Sequence, residues 1–485
     1  MKAGKITIIY SNILIALLRL PFIILGVFTV ITGSCTSTRY LGRTAIPDRF
    51  LDDPAITDTH VGIAIYDTDR NEYIYTRNSD KFFVPASNTK IATLYAGLKY
   101  LGDSIPGIRF AEHNDTIFLQ ATGDPTFLLL DFPRQPVFNF LQRAEKPLVF
   151  FEPLWETGAL GYGWSWDDYL GYYMPERSPF PVYGNIIIWA QRDMAGLNED
   201  VKITYVSSYP RHPWPVEIMA GTNDKFEVRR PVTLNEYSVF PGMEGDRELF
   251  VPYVTDGMSA ALELLSDTLN RDIVLMHERP DLLNQPDIDC LPDMPDLSEF
   301  PFRHDPSYQF NIIYSRAADS LFMPMMLYSD NFFAEQTMLM VSNKLFGVMD
   351  EALLIEYLLE NDLREIPDKP RWVDGSGLSR YNLFSPQSFV WLLEKMTDEF
   401  GFERISHLLP SGNEGTLENF YQDEKGKIFA KTGTLSGNAI ALSGFLITGK
   451  GRTLIFSVLV NNHNKDSNDV RRATETFLRD IIYRY

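Results

Sequence analysis

The chain has 485 residues, of which 45% are hydrophobic and 22% charged, and its formal net charge is −20. These values exclude a disordered chain, and the length exceeds what one ordinary core holds, so they predict two or three globular domains. The negative charge argues against nucleic acid and anionic lipid surfaces as partners, because both require clustered Lys and Arg.

The N-terminus has the pattern of an export signal. Lys2 and Lys5 precede an apolar stretch over residues 6–31, which ends at Thr32-Gly33-Ser34-Cys35. A cysteine after small residues is typical of a bacterial lipobox, so lipidation of Cys35 is one interpretation, and simple cleavage or an uncleaved anchor are the others. We therefore predict an exported protein, periplasmic or a cell-envelope lipoprotein. Its contact with the membrane is expected only through this signal (residues 1–35) or a lipid on Cys35.

The first predicted elements after this signal are a hairpin and a helix. Residues 61–65 alternate between apolar and other side chains, turn residues follow, and Tyr73 and Tyr75 resume the alternation. Pro85 then precedes a helical pattern that runs to Leu98. We expect Ser87 to lie in the first turn of that helix.

The middle of the chain has a different character. Five of the seven tryptophans lie between residues 102 and 290, among short β-like runs broken by Pro and Gly, and residues 281–301 are rich in Pro and Asp. This composition predicts a β-rich insertion over residues 104–289 and a return linker. Cys290 stands at its end without a predicted role.

The last third of the chain returns to helices and then to strands. Helical patterns cover residues 308–328, 331–346, 350–361 and 386–399; strand patterns cover 428–434, 440–448 and 453–461; a final helix covers 470–483. Strands at both ends with helices between them predict one α/β (α+β) domain made of an antiparallel sheet and helices. We expect it to comprise residues 36–103 and 290–485, interrupted by the insertion.

Three short motifs occur in a fixed order along the chain. They are Ser87-Asn88-Thr89-Lys90, Ser329-Asp330-Asn331 and Lys431-Thr432-Gly433. A Lys-Thr-Gly triplet is expected roughly 0.1 times by chance in such a chain, so its occurrence behind the other two carries weight. Together they form the S-x-x-K, S-D-N, K-T-G set of penicillin-binding proteins and class A β-lactamases.

The residue types explain what such a set can do. Ser87 and Lys90 are three apart and project from one helix face, so the amine can contact the hydroxyl. A serine becomes a good nucleophile when a base accepts its proton, and Lys90 is such a base only if burial and a second cation lower its pKa to about 7–8. A charged Lys90 would instead polarise Ser87 without taking its proton, and the sequence leaves both alternatives open.

The second and third motifs supply the remaining groups. Ser329 can relay a proton to the leaving amine, and Asn331 can bind the substrate amide or hold Lys90. Lys431 can be the second cation and can also dock a substrate carboxylate, which Thr432 and Thr434 could bind by hydrogen bonds. Gly433 lets its strand approach closely, and the N–H groups of Thr434 and Ser87 could form an oxyanion hole.

Other chemistries lack their motifs. The chain has no G-x-S-x-G nucleophile elbow, no H-E-x-x-H zinc motif and no glycine-rich nucleotide loop. We therefore expect no metal and no cofactor.

The spacing of the motifs carries a closer resemblance. Ser329 follows Ser87 by 242 residues, and this long insertion resembles the penicillin-binding protein 4-type D-alanyl-D-alanine carboxypeptidase/endopeptidases. Residues 123–126, 163–168, 374–379 and 415–417 are also similar to that family, and 374–379 is expected to be a loop bordering the site. The resemblance implies a β-lactamase/transpeptidase-like domain with inserted domains. It also implies acylation of Ser87 by peptidoglycan peptides ending in D-Ala-D-Ala, and by β-lactams.

Two alternatives remain at this point. One is a β-lactam hydrolase on the same scaffold, for which no deacylating base is identifiable in the sequence. The other is an inactive lipoprotein that binds peptidoglycan. Neither the oligomeric state nor the choice between carboxypeptidase and endopeptidase follows from the sequence.

Overall fold

The computed structural model describes residues 46–195, 202–221, 223–276, 310–435 and 437–485. The predicted export signal with Cys35, Cys290 and the predicted linker at 281–301 lie outside these ranges. The strands of the described residues are β1 His60–Asp67, β2 Glu72–Arg77, β3 Ser104–His113, β4 Thr116–Ala121, β5 Leu148–Phe151, β6 Leu154–Trp155, β7 Ile186–Ala195, β8 Lys202–Tyr209, β9 Val216–Ile218, β10 Glu227–Arg229, β11 Tyr237–Phe240, β12 Arg247–Pro252, β13 Val274–Met276, β14 Asn311–Ala317, β15 Val348–Met349, β16 Ile428–Leu435, β17 Ala439–Ile447 and β18 Thr453–Asn461. The helices are α1 Ile46–Leu51, α2 Lys90–Tyr100, α3 Pro136–Arg143, α4 Ser259–Leu269, α5 Asp319–Leu327, α6 Asn331–Phe346, α7 Glu351–Glu360, α8 Pro386–Phe400, α9 Phe402–Leu408 and α10 Ser467–Arg484.

The two ends of the chain share one antiparallel sheet, as predicted. Its strand order is β16-β17-β18-β1-β2, so β16 forms an edge and β1 lies between β18 and β2. Along β18, Ile455 and Leu459 belong to a core formed with helices, whereas Phe456 and Val458 belong to the core on the other face, where α10 packs. Because the strand is buried on both faces, residues 454–460 are apolar on both faces except for the buried Ser457.

The inserted region contains further sheets. Strands β13-β5-β4-β3-β14 form a mixed five-stranded sheet, and β12-β7-β8 and β10-β11-β9 form two three-stranded sheets. Their buried side chains form a separate core with α4. The expectation of a β-rich region in this part of the chain is confirmed.

One predicted helix is wrong over much of its length. The pattern at 308–328 predicts a single helix, but residues 311–317 form β14, which pairs antiparallel with β3, and only α5 is helical. The segment contains Ile312, Ile313 and Tyr314, which favour strands, and its partner strand lies some two hundred residues earlier. Pairing with that distant edge outweighs the local helical pattern.

Local sequence explains the start of the helix that carries the second motif. Asp330 has an extended backbone, and its side chain accepts a hydrogen bond from the Phe333 N–H at 2.8 Å, so it caps α6. Gly347, with φ of 73°, ends this helix. The Asp of the second motif therefore fixes the point at which Asn331 enters the helix.

Candidate active site

Ser87 lies in a 3₁₀ turn, Ala86–Thr89, that leads directly into α2. Residues three apart in a 3₁₀ turn eclipse each other, which brings Lys90 Nζ to 3.0 Å from Ser87 Oγ. The residue before the nucleophile, Ala86, has φ of 47°, a conformation that costs a non-glycine residue roughly 1–2 kcal/mol. The turn is therefore strained where it presents the half-buried Ser87 to solvent.

The Lys90 amine is buried and fully hydrogen-bonded. Besides Ser87 Oγ, Nζ contacts Asn331 Oδ1 at 2.6 Å and the Ser376 carbonyl oxygen at 2.7 Å. Three acceptors match the three N–H donors of an ammonium group. Burial lowers the pKa of Lys90 to about 8, although nearby carboxylates oppose this shift. At pH 7 roughly one molecule in ten then carries a neutral Lys90.

The second motif meets the first at the N-terminus of α6. Ser329, with φ of 62°, precedes the capping Asp330, and Asn331 is the first residue of the helix. While the Asn331 side-chain oxygen accepts from Lys90, its Nδ2 donates to the Tyr173 carbonyl at 2.8 Å. Asn331 thus connects the amine with a loop of the inserted region.

The third motif lies on the edge strand β16. Lys431 is buried, and its Nζ donates to Ser329 Oγ at 2.9 Å and to the Thr432 carbonyl at 2.7 Å. Burial lowers the pKa of Lys431 well below its ordinary value, and the positive charge of Lys90 lowers it further. The positive charge of Lys90 thus acts on Lys431, whereas burial is what lowers the pKa of Lys90 itself.

Strand β16 packs directly against the nucleophile turn. A Cβ atom placed on Gly433 would lie 2.7 Å from the Pro85 carbonyl oxygen and 3.1 Å from Ser87 N, so this position has room for glycine alone. The buried Asn88 amide lies 2.8 Å from the Lys431 carbonyl oxygen and 2.7 Å from Ser443 Oγ. Since a carbonyl only accepts, the amide nitrogen faces Lys431 and ties strand to turn.

Ser87 opens into a cleft of about 880 Å³. Ser329, Asn331 and Thr434 also line it, whereas Lys90 and Lys431 are buried beneath its surface. The remainder of its wall comes largely from the inserted region and includes Trp164, Ser165, Asp168, Tyr172, Tyr173, Tyr183, Ile186, Ile188, Tyr209 and Phe250.

The two other residues of the third motif have different surroundings. Thr432 and Gly433 line a separate cavity of about 30 Å³, together with Leu417 and Arg471. Thr434 Oγ1 accepts a hydrogen bond from Arg471 Nη2 at 2.8 Å. The structure therefore brings Ser87, Lys90 and Asn331 into one hydrogen-bonded set and Ser329 and Lys431 into a second, and leaves the side chain of Thr432 outside the cleft.

The loop at 374–379 borders the site, as predicted. The Ser376 carbonyl accepts from Lys90, and Gly377 and Leu378 line the cleft. Asp374 shapes the loop, since its carboxylate accepts from the Gly377 N–H at 2.8 Å and the Ser379 N–H at 2.6 Å. The same carboxylate accepts from Trp164 Nε1 of the inserted region at 2.9 Å.

Sequence reasoning missed two charged residues close to this group. Glu335 and Arg177 are both about 1% exposed and form an ion pair at 3.3 Å. Glu335 stands one helical turn after Asn331, a spacing that places both on one face of α6 and could have indicated it. No comparable signal marks Arg177, because its neighbours in sequence carry no motif.

Two further findings concern the described ranges as a whole. None of their helices combines the length and hydropathy needed to cross a membrane. No group of three or more His, Cys, Asp or Glu side chains within them is arranged to hold a metal ion.

Comparison with solved structures places this fold in a known class. The model resembles the crystal structure of penicillin-binding protein 4 (dacB) from Haemophilus influenzae, with a TM-score of 0.69 over 91% of this chain and 99% of that chain, at 19% sequence identity. The chain thus shares the fold of that penicillin-binding protein.

Sequence comparison gives the family. The model of the D-Ala-D-Ala carboxypeptidase 3 (S13) family matches residues 44–270 and 313–481, and the chain belongs to this family. It is 27% identical to a D-alanyl-D-alanine carboxypeptidase of Actinomadura sp. (strain R39), over 86% of this chain and 80% of that protein. It is 22% identical to the D-alanyl-D-alanine carboxypeptidase DacB of Haemophilus influenzae, over 88% of this chain and 92% of that protein. The resemblance stated from the motifs is confirmed.

Proposed function

We propose that this protein is a serine-type D-alanyl-D-alanine carboxypeptidase that acts on peptidoglycan stem peptides through an acyl-enzyme on Ser87. The observation that carries the proposal is that two hydrogen-bonded sets, Ser87–Lys90–Asn331 and Ser329–Lys431, lie at the wall of one cleft. Family membership supports the reaction, and the hydrogen bonding of every motif side chain within these two sets supports an intact rather than a decayed site.

In the proposed reaction, neutral Lys90 accepts the Ser87 proton as Oγ attacks the carbonyl carbon of the penultimate D-alanine. An O–C bond forms, the C–N bond to the terminal D-alanine breaks, and a proton passes to the leaving amine. Water then attacks the ester and gives a proton to Lys431, while Lys90 returns its proton to Ser87 Oγ, which restores the serine and both lysines. The distance of 3.0 Å between Nζ and Oγ is suitable for the first transfer.

Ser329 and Lys431 are proposed to serve the leaving group. Ser329 Oγ lies on the cleft wall and contacts Lys431 Nζ at 2.9 Å, so it can pass a proton from the lysine to the departing amine. The low pKa of Lys431 favours giving up that proton. While Lys431 is protonated, its positive charge would attract the terminal carboxylate of the substrate.

The oxyanion is proposed to bind between the N–H groups of Ser87 and Thr434. β16 is an edge strand, so one row of its backbone groups is directed away from β17. The close approach at Gly433 brings this edge within contact of the Ser87 turn. Each such donor stabilises the transition state by about 3–4 kcal/mol. A β-lactam carbonyl would occupy the same position, with ring opening in place of loss of D-alanine.

The organisation around this site is proposed as follows. Residues 36–103 and 290–485 form the catalytic domain, interrupted by the inserted region at 104–289, whose five-stranded sheet also takes in β14. The pattern of residues 1–35 supports export to the periplasm or envelope, with lipidation of Cys35 as one form of attachment. A peptidoglycan substrate requires such a location.

The test is covalent labelling with a fluorescent penicillin. The wild type should form a lasting adduct and release D-alanine from a D-Ala-D-Ala peptide, whereas Ser87→Ala should do neither. Ser266→Ala, on α4 and outside the cleft, is the matched control and should label like the wild type. No adduct with folded wild type would refute the acyl-enzyme. Rapid loss of the adduct without D-alanine release would instead identify a β-lactam hydrolase, and cleavage of crosslinked dimers would add endopeptidase activity.

A further inference from the structure

A buried arginine of the inserted region has all its hydrogen-bond donors satisfied next to the active site. Arg177 is 1% exposed, and its Nη1 contacts Glu335 at 3.3 Å and Glu351 at 2.9 Å. Its Nη2 donates to Thr157 Oγ1 at 3.0 Å and to the Gly158 carbonyl at 2.7 Å, while Nε donates to the same carbonyl at 3.2 Å. All five N–H donors therefore have acceptors, which fixes the position of the guanidinium group.

The first carboxylate in this group reaches the active-site loop. Glu335 holds Arg177 through Oε2, and its Oε1 accepts from the Ser376 N–H at 2.7 Å. The carbonyl of the same residue, Ser376, accepts from Lys90 Nζ at 2.7 Å. A short chain of contacts thus runs from Arg177 through Glu335 and Ser376 to Lys90.

Neighbouring contacts support the same arrangement. Gln336 of α6 donates to the Ser178 carbonyl at 2.9 Å and accepts from the Ser178 N–H at 3.3 Å, so the segment after Arg177 is attached to the helix as well. Thr93, one turn after Lys90 on α2, donates to the Gly375 carbonyl at 2.6 Å. The loop is therefore held from α2 on one side and from α6 on the other.

We propose that Glu335 is a positioning residue for Lys90, which fixes the Ser376 carbonyl against the amine, and that Arg177 makes the inserted region part of this support. The inference rests on the proposed function, because it concerns the base of that reaction. It gives the insertion a role beyond lining the cleft: loss of Arg177 would loosen the base although this residue contacts neither Ser87 nor Lys90.

The pKa of Lys90 distinguishes this role from a purely structural one, because a change in packing alone would not shift it. The charged groups that act on Lys90 are Asp374, Asp330 and Glu335, which favour its protonated form against the effect of burial. Removing the Glu335 charge therefore lowers the pKa of Lys90. Burial and the Asp374 charge raise the pKa of Glu335 to about 7 against the opposing Arg177 charge, so most of the carboxylate is ionised near pH 8, where Lys90 titrates.

The experiment is the pH dependence of Ser87 acylation by a fluorescent penicillin in three variants. Glu335→Gln keeps an acceptor for the Ser376 N–H and removes the charge, so its midpoint should fall by about one pH unit. Glu335→Asp keeps the charge and shortens the side chain, so acylation should slow at least tenfold with the midpoint unchanged. Glu351→Gln is the matched control, since it loses a contact with Arg177 but none with the loop, and its midpoint should match the wild type.

Hydrogen exchange supplies a readout independent of activity. In Glu335→Ala the Ser376 N–H should exchange at least tenfold faster than in the wild type, whereas in Glu351→Gln it should not. The inference would be overturned if folded Glu335 variants were acylated, and exchanged the Ser376 N–H, at the wild-type rates. If Glu335→Gln does not fold, the rate of acylation of Glu335→Asp decides instead. If the wild type is not acylated at all, the proposed function fails, and the exchange rates still test the support of the loop.

Discussion

Replacing Gly433 with alanine should displace the nucleophile turn and slow acylation of Ser87. The added Cβ would lie 2.7 Å from the Pro85 carbonyl oxygen, about 0.7 Å closer than an ordinary van der Waals contact, and 3.1 Å from Ser87 N. Both neighbours are backbone atoms, so the strand or the turn has to move by several tenths of an ångström. A misplacement of 1 Å costs roughly a hundredfold in rate, so we expect a loss of about ten- to a hundredfold, or about 1.4–2.8 kcal/mol.

The assay is the second-order rate constant for labelling by a fluorescent penicillin, measured beside the melting temperature. Gly449→Ala is the matched control, because its Cβ would meet Ile482 O at an ordinary 3.5 Å in the hairpin between β17 and β18. It should keep the wild-type rate. A folded Gly433→Ala protein that labels at the wild-type rate would show that the packing of β16 on the turn does not set the geometry of attack.

Three further predictions follow from the charges. If neutral Lys90 is the base, acylation should rise nearly tenfold per pH unit below about 8 and level off above it, and a flat profile between pH 6 and 9 would contradict that role. Asn331→Asp places a carboxylate beside the amine, which favours the ammonium, so the midpoint of the same profile should move to higher pH; an unchanged or lower midpoint would count against the contact of 2.6 Å. Burial raises the pKa of Asp67, but hydrogen bonds from Tyr485 and Arg452 outweigh it and hold the pKa below 3.8. The stabilisation by Asp67 should thus be present above pH 4 and lost below it, and urea unfolding of wild type and Asp67→Asn should converge as the pH falls.

The parts of this fold that were predicted correctly have local signals. The hairpin β1–β2, helices α6 to α8 and strands β16 to β18 each have a clear period or a capping residue, such as Asp330 before α6. The motifs also predicted which side chains lie close together. The three motifs in this order indicate one kind of active site, which none of them does by itself. Ser87, Lys90 and Lys431 are indeed brought together from distant positions.

The parts that were missed depend on distant partners. Strand β14 was predicted as helix because its sequence does not reveal that β3 offers an unpaired edge. The pair of Arg177 and Glu335 joins residues far apart in the chain, and neither residue type is informative until burial removes water from both. Burial also sets the pKa of Lys90, which sequence analysis could name as a requirement but not derive.

The placement of β1 inside the sheet has a consequence for biogenesis. Val61 of β1 pairs with Val460 of β18, so β1, which already has β2 as one neighbour, gains its other neighbour only after almost the whole polypeptide has emerged. Contacts of such long sequence separation form slowly. Because β16 also arrives late, the nascent chain holds a serine without its lysine partner from the third motif. The side chains proposed to act in catalysis therefore come together only after β16 has been synthesised.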